Sequence, residues 1–131
     1  MAGYSGTPLP KKLGIKEGST VALVGAPDGF SLDDLPAGVD VRSRAGNADV
    51  VVFFTTSASA LAKRIEGLGQ NVFPAGALWI AWPKKAAKVP TDMTEHVVRD
   101  VALPLGLVDT KVCAIDDTWS GLKLVWRKDR R

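Results

Sequence analysis

The stretch Asp49-Val50-Val51-Val52-Phe53-Phe54 decides the fold. It is continuously β-branched and aromatic, with no polar residue after Asp49. A strand with one wet face alternates, whereas an unbroken apolar run of this length suits a strand buried on both faces at the centre of a parallel sheet. Two further runs, Thr20 to Gly25 and Ala77 to Trp82, read the same way, and helical patterns lie between and beyond them. Strands of this kind interleaved with helices describe an α/β sheet wrapped by helices on both faces.

Working outward, Ser57 can cap a helix whose Leu61, Ile65 and Leu68 recur at helical spacing, with Gly67 and Gly69 as its end. Asp92 and Glu95 fit a capping box opening a helix that reaches about Leu103, with Val97, Val101 and Met93 on its apolar stripe. Before the central strand, Phe30 to Leu35 suggests one helical turn capped by Ser31, with Asp33 and Asp34 in its first turn. Val39 to Arg42 alternates like a short edge strand. Thr110 to Asp116 and Gly121 to Arg127 read as a C-terminal antiparallel hairpin around Asp117-Thr118-Trp119-Ser120. Residues 1–17 form an N-terminal arm, with no helix expected through Lys12 and with Tyr4, Leu9 and Leu13 as anchors. Residues 18–131 form the single α/β domain.

Bulk properties exclude several classes. A chain of 131 residues with 46% hydrophobic and 24% charged residues has the composition of a globular domain, one that buries roughly two thirds of its unfolded surface. No run approaches the ~20 apolar residues of a membrane span, and the N-terminus lacks the order of a signal peptide. A cytoplasmic location is the expectation. The net charge of +3 gathers largely in Arg127, Lys128, Arg130 and Arg131, a tail rather than a basic footprint, so nucleic-acid binding is not expected. Cys113 is the only cysteine and His96 the only histidine. No disulfide, thiolate metal site or His-based triad can be argued from them, and no cofactor or metal is expected.

Strand, short strand, central strand, helix, strand, helix and hairpin is an order that resembles the later two thirds of the Rossmann-like methyltransferases using S-adenosylmethionine, in truncated form. At residue level the chain resembles an actinobacteria-centred domain-of-unknown-function family (DUF3052-like). That resemblance rests on Gly3 to Leu9 with Lys11 to Ile15, on Ala77-Leu78-Trp79 through Trp82-Pro83-Lys84-Lys85, and on Val89 to Asp92. It continues through Val98-Arg99, Ala102 to Leu107, and Trp119 to Lys123. It implies a fold and a family without an activity. The methyltransferase resemblance implies that the first long strand and the Val50 strand are neighbours where the strand order reverses, with the pocket beside them.

Candidate ligand contacts follow from the strand ends. Gly25, Asp28 and Gly29 stand in Gly25-Ala26-Pro27-Asp28-Gly29, where glycines let a ligand approach the backbone, although the spacing is neither the dinucleotide fingerprint nor the P-loop. A plain turn explains the same glycines. Thr55 follows the central strand. Trp82, Lys84 and Lys85 combine an aromatic face with two ammonium groups, suited to an anionic or nucleotide-like group, whereas core filling and solvation are the ordinary reading. The end of the second strand, Arg42-Ser43-Arg44, lacks the acid that holds ribose hydroxyls in cofactor-binding relatives. Asp116 and Asp117 could bind a cation or simply shape a turn.

The sequence thus supports a binding or regulatory module for a small anionic or nucleotide-like ligand. Two alternatives stand beside it. One is a methyltransferase-like enzyme completed by a partner or a second copy as a homodimer; the other is a protein-interaction module using the N-terminal arm and the Trp119 hairpin.

Overall fold

A computed structural model describes residues 7–131. Its centre is one six-stranded sheet. In chain order the strands are β1 (Thr20–Val24), β2 (Asp40–Arg42), β3 (Val50–Phe54), β4 (Ala77–Pro83), β5 (Leu107–Ala114) and β6 (Trp119–Trp126), and in space they run β2-β1-β3-β4-β6-β5. β2, β1, β3 and β4 are mutually parallel, with Val21 beside Val50 and Val51 beside Leu78. β6 returns antiparallel to β4, and β5 closes the edge antiparallel to β6. The α/β, Rossmann-like class expected from the sequence is the observed one. Every residue of β3 and β4 is buried, as unbroken apolar runs require.

The helices are α1 (Leu9–Leu13), α2 (Ala58–Val72) and α3 (Glu95–Ala102). The pleat divides the core in two. Ala22, Val51, Phe53, Leu78, Ile80 and Leu124 meet Leu61, Ile65 and Leu68 of α2 and Val98 and Ala102 of α3 on one face. Val21, Val52, Phe54, Trp79 and Ala81 meet Leu13, Ile15 and Phe30 on the other. Only the first face carries long helices. The second is covered by the short α1 and by extended chain, so the outer layer there is thin.

Several expected boundaries move, each for a physical reason. A helix does occur by Lys12: Pro10 sits in the first turn of α1, where no amide donor is needed, and Gly14 (φ 84°) closes it in the left-handed conformation. The Trp79 indole N–H donates to the Leu13 carbonyl at 3.1 Å, Leu13 and Ile15 are buried, and Leu9 packs against the same cluster, so Leu9 and Leu13 anchor this segment to the domain. Tyr4 and the Gly3 to Gly6 part of the family resemblance lie outside the described residues.

Phe30 to Leu35 forms no helix. Asp34 adopts φ 60°, which aspartate tolerates and a helix does not, and Pro36 restricts Leu35. α2 does not stop at Gly67 or Gly69 but runs to Val72. The cap of α3 is Thr94, whose hydroxyl accepts the Val97 N–H at 3.1 Å, and the helix buries Val98 and Ala102, leaving Val97 and Val101 half-buried. Asp92 caps a different helix: its Oδ1 accepts the Ala58 N–H of α2 at 2.7 Å, from 34 residues away. Both hairpin strands start earlier than read, β5 at Leu107 and β6 at Trp119, so that Trp119 and Ser120 lie inside β6.

Candidate functional site

The carboxyl ends of β1, β3 and β4 share one rim, and a cleft of about 1070 Å³ opens there. Four chain segments build it. The β1 loop contributes Pro27 to Ser31, and the chain beyond it Asp33 and Asp34. Lys84 comes from the end of β4, Ala114 to Asp117 from the β5–β6 turn, and Thr7, Pro8, Leu9 and Lys12 from α1 and its approach. Phe30 and Ile115 supply apolar wall. Behind the wall, Phe54 stands between Phe30 and Trp119 in two edge-to-face contacts, at 5.0 and 5.2 Å between ring centres, which holds the Phe30 ring in place.

The lining is acid-rich. Asp28, Asp33, Asp34, Asp116 and Asp117 face Lys12 and Lys84. Asp116 is partly committed, because its Oδ1 accepts the N–H groups of Thr118 and Trp119 at 2.8 and 2.7 Å and so shapes the hairpin turn. The Lys84 N–H donates to the Thr118 carbonyl at 2.8 Å, which locks the β4 exit to that turn. No group of three or more His, Cys, Asp or Glu side chains suited to hold a metal ion occurs among the described residues.

Of the residues singled out in the sequence, Asp28, Gly29 and Lys84 line this cleft together. Gly25 lies just outside the lining. Its φ is 72°, and a β-carbon there would stand 2.8 Å from the Phe54 carbonyl oxygen, so close passage of β1 against β3 requires glycine. Thr55 is the one buried polar side chain among the described residues, and its hydroxyl accepts the Ser57 N–H at 3.1 Å, shaping the entry to α2. Ser57 caps that helix as expected, accepting from Ala60 at 3.1 Å. Trp82 points into the core beneath α2 and α3, with Met93 in the same cluster, and not into the cleft. Lys85 is exposed at the start of a 3₁₀ turn and is not part of the lining. Arg42 holds Asp40 of its own strand at 2.9 Å, so its guanidinium is engaged locally.

Two features were not visible as site residues: Lys12 and the Asp33-Asp34 pair. Only the tertiary path brings α1 and the irregular loop over the same rim. The two lone residues differ from the sequence reading, which placed no carboxylate beside His96 and buried Cys113 inside its strand. His96 is exposed beside Asp100 at 3.3 Å. Cys113 is half-buried, and burial pushes its thiol pKa up despite Lys12 and Lys111 nearby.

No family model and no curated protein sequence matches this chain. Solved structures do. The fold is similar to that of a SAM-dependent methyltransferase from Aquifex aeolicus, with TM-score 0.57 and 18% identity over 87% of this chain and 85% of that one. It is similar to a protein in the NADB-Rossmann superfamily from Streptococcus agalactiae, with TM-score 0.57 and 10% identity over 96% and 71% of the two chains. It is also similar to a magnesium protoporphyrin IX methyltransferase from Synechocystis with bound SAM, with TM-score 0.56 and 9% identity over 90% and 74%. At such identities the likeness is one of fold: this chain has a Rossmann-like, methyltransferase-like α/β fold.

Proposed function

We propose that this protein is a small-ligand-binding module whose rim cleft takes a nucleoside-like molecule offering hydroxyl donors or positive charge. The observation that carries the reading is an acid-rich cleft lined by the loop after β1 and the end of β4, on the same sheet rim as the point where strand order reverses between β1 and β3. Open α/β sheets bind ligands outside the carboxyl ends of their strands at such a point. The cleft volume is that of a site for a small molecule. Five aspartates against two lysines favour hydroxyls or a cation over a phosphate. No helix begins after β1, so the helix N-terminus that would hold a pyrophosphate is missing from residues 25–39. The anionic ligand expected from Lys84 and Lys85 therefore finds little complement here.

Within that class, S-adenosyl compounds combine ribose hydroxyls, an ammonium and, in the methyl donor, a sulfonium. The fold neighbours support this choice, one of them carrying bound SAM. The lining includes no carboxylate–histidine or similar acid–base pair, which favours binding without chemistry. A second reading, a methyltransferase-like catalyst completed by a partner, rests on the same neighbours.

Titration calorimetry with S-adenosylmethionine, S-adenosylhomocysteine, adenosine and ATP separates the readings. Saturable binding of the S-adenosyl compounds, weaker binding of ATP, and about tenfold loss in Asp28→Asn are expected. Absence of binding by every one of them at millimolar concentration would overturn the proposal. Methyl loss from S-adenosylmethionine in the presence of a protein partner would favour the second reading.

A further inference from the structure

The sheet face opposite α2 and α3 carries an arrangement that a stable fold does not need. In the β5–β6 ladder, Lys111 is the direct cross-strand partner of Lys123. Like charges placed opposite one another in an antiparallel pair destabilise it. The register that creates the pair follows from the irregularity between Asp109 and Lys111, which sends Asp109 to Arg99 of α3 and turns Lys111 to the other side.

Lys123 is half-buried beside Trp79, its partner in β4, and its Nζ lies 4.0 Å from where a Gly14 β-carbon would stand. Burial, with Lys111 and Lys16 close by, pushes its pKa down. Among the described residues no acid forms an ion pair with it. Lys16, Lys111 and Lys123 take part in no ion pair among the described residues, Asp109 is held by Arg99, and Glu17 forms no ion pair. Lys111 stands opposite Lys123, and the Lys123 ammonium reaches Gly14, two residues before Lys16, so the three lysines border one patch.

We propose that Lys16, Lys111 and Lys123 form a binding site for a multiply charged phosphoryl group, separate from the rim cleft. Lysine recognises phosphate as a point charge, so convergence of several ammoniums matters more than planar geometry. An anion bridging the three removes the mutual repulsion that the free fold carries, and binding is therefore coupled to stability. The phosphoryl group could belong to a free polyphosphate-like metabolite or to a nucleic-acid backbone.

Thermal unfolding with sodium tripolyphosphate, with a short single-stranded oligothymidine, and with sodium chloride at matched ionic strength tests the site. At ten times its Kd, the phosphoryl ligand is expected to raise Tm by about 5 °C beyond the chloride control. A stronger response to tripolyphosphate identifies a free ligand, and one to oligothymidine identifies a backbone. Lys111→Glu, which converts the repulsive pair into an attractive one, should raise the Tm of the free protein and abolish the ligand response. Lys123→Met, which keeps the apolar stem, should also abolish it. A wild-type Tm that follows chloride alone, or an undiminished response in both variants, would overturn the proposal.

Discussion

Trp126 donates its indole N–H to the Gly69 carbonyl at 2.9 Å, and the same indole fills the space where a Gly69 side chain would begin. A β-carbon at residue 69 would stand 3.2 Å from Trp126 Cζ2 and 3.2 Å from Leu107 Cδ1, both buried. The glycine therefore sits inside α2, in its last turn, because β5 and β6 press on it there.

This relationship makes two glycines of one helix behave oppositely. Alanine gains roughly 1 kcal/mol over glycine in a helix interior, and overpacking a closed core costs about 1–3 kcal/mol. Gly67 has nothing within 4 Å of its added β-carbon, so Gly67→Ala is expected to stabilise by up to about 1 kcal/mol. Gly69→Ala is expected to destabilise by about 1 kcal/mol, the packing cost exceeding the propensity gain. Urea unfolding of both variants checks the sign in each.

The long-range cap gives a second expectation. Asp92 Oδ1 accepts from Ala58 at 2.7 Å, and the Thr91 hydroxyl donates to the Thr56 carbonyl at 2.7 Å, so residues 91 and 92 pin the start of α2. Asp92→Ala should cost about 1 kcal/mol, the usual worth of a lost helix cap. Hydrogen exchange should show faster opening of the first turn of α2. Were Asp92 instead capping its own helix, the faster exchange would appear at Glu95 to Val97.

Acid should act on the α3–β5 junction. Arg99 donates to Asp109 at 2.8 Å and also pairs with Glu95, and the guanidinium holds the Asp109 carboxyl below its ordinary value of 3.8. A carboxyl depressed in the folded state adds stability above its unfolded pKa and loses it as pH falls through the folded one. Asp109→Asn should therefore lower Tm at pH 7 and match the wild type more closely below about pH 3. Both groups are partly exposed, so solvent screening keeps the difference at pH 7 small. Equal Tm differences at both pH values would contradict the assignment.

How far the sequence reached depends on whether a feature is local. β3 and β4 were readable because burial on both faces leaves an unbroken apolar run. Ser57 was readable because a cap acts three residues away. Asp92 was misread for the same reason: its spacing to Glu95 satisfies the local rule, while its bond crosses to Ala58. Gly69 looked like a helix end because its reason, Trp126, stands 57 residues away.

The candidate site divides likewise. Asp28, Gly29 and Lys84 follow strands whose ends could be located, and they do line one cleft. Lys12, Asp33 and Asp34 reach it through an irregular path that no periodicity encodes. Trp82 faced the core because alternation along β4 sent its ring toward α2, a choice that an all-apolar strand conceals. The Lys111–Lys123 pair depends on a single irregular residue in β5, which shifts the register by one and turns every later side chain to the other face.

The most direct test of the cleft is amide NMR of the full chain titrated with S-adenosylhomocysteine. The expected result is saturable shifts at Asp28, Gly29 and Phe30 together with Lys84 and Asp117, two segments that meet at the cleft wall. Unmoved resonances there at millimolar ligand, or shifts confined to other surfaces, would contradict the account.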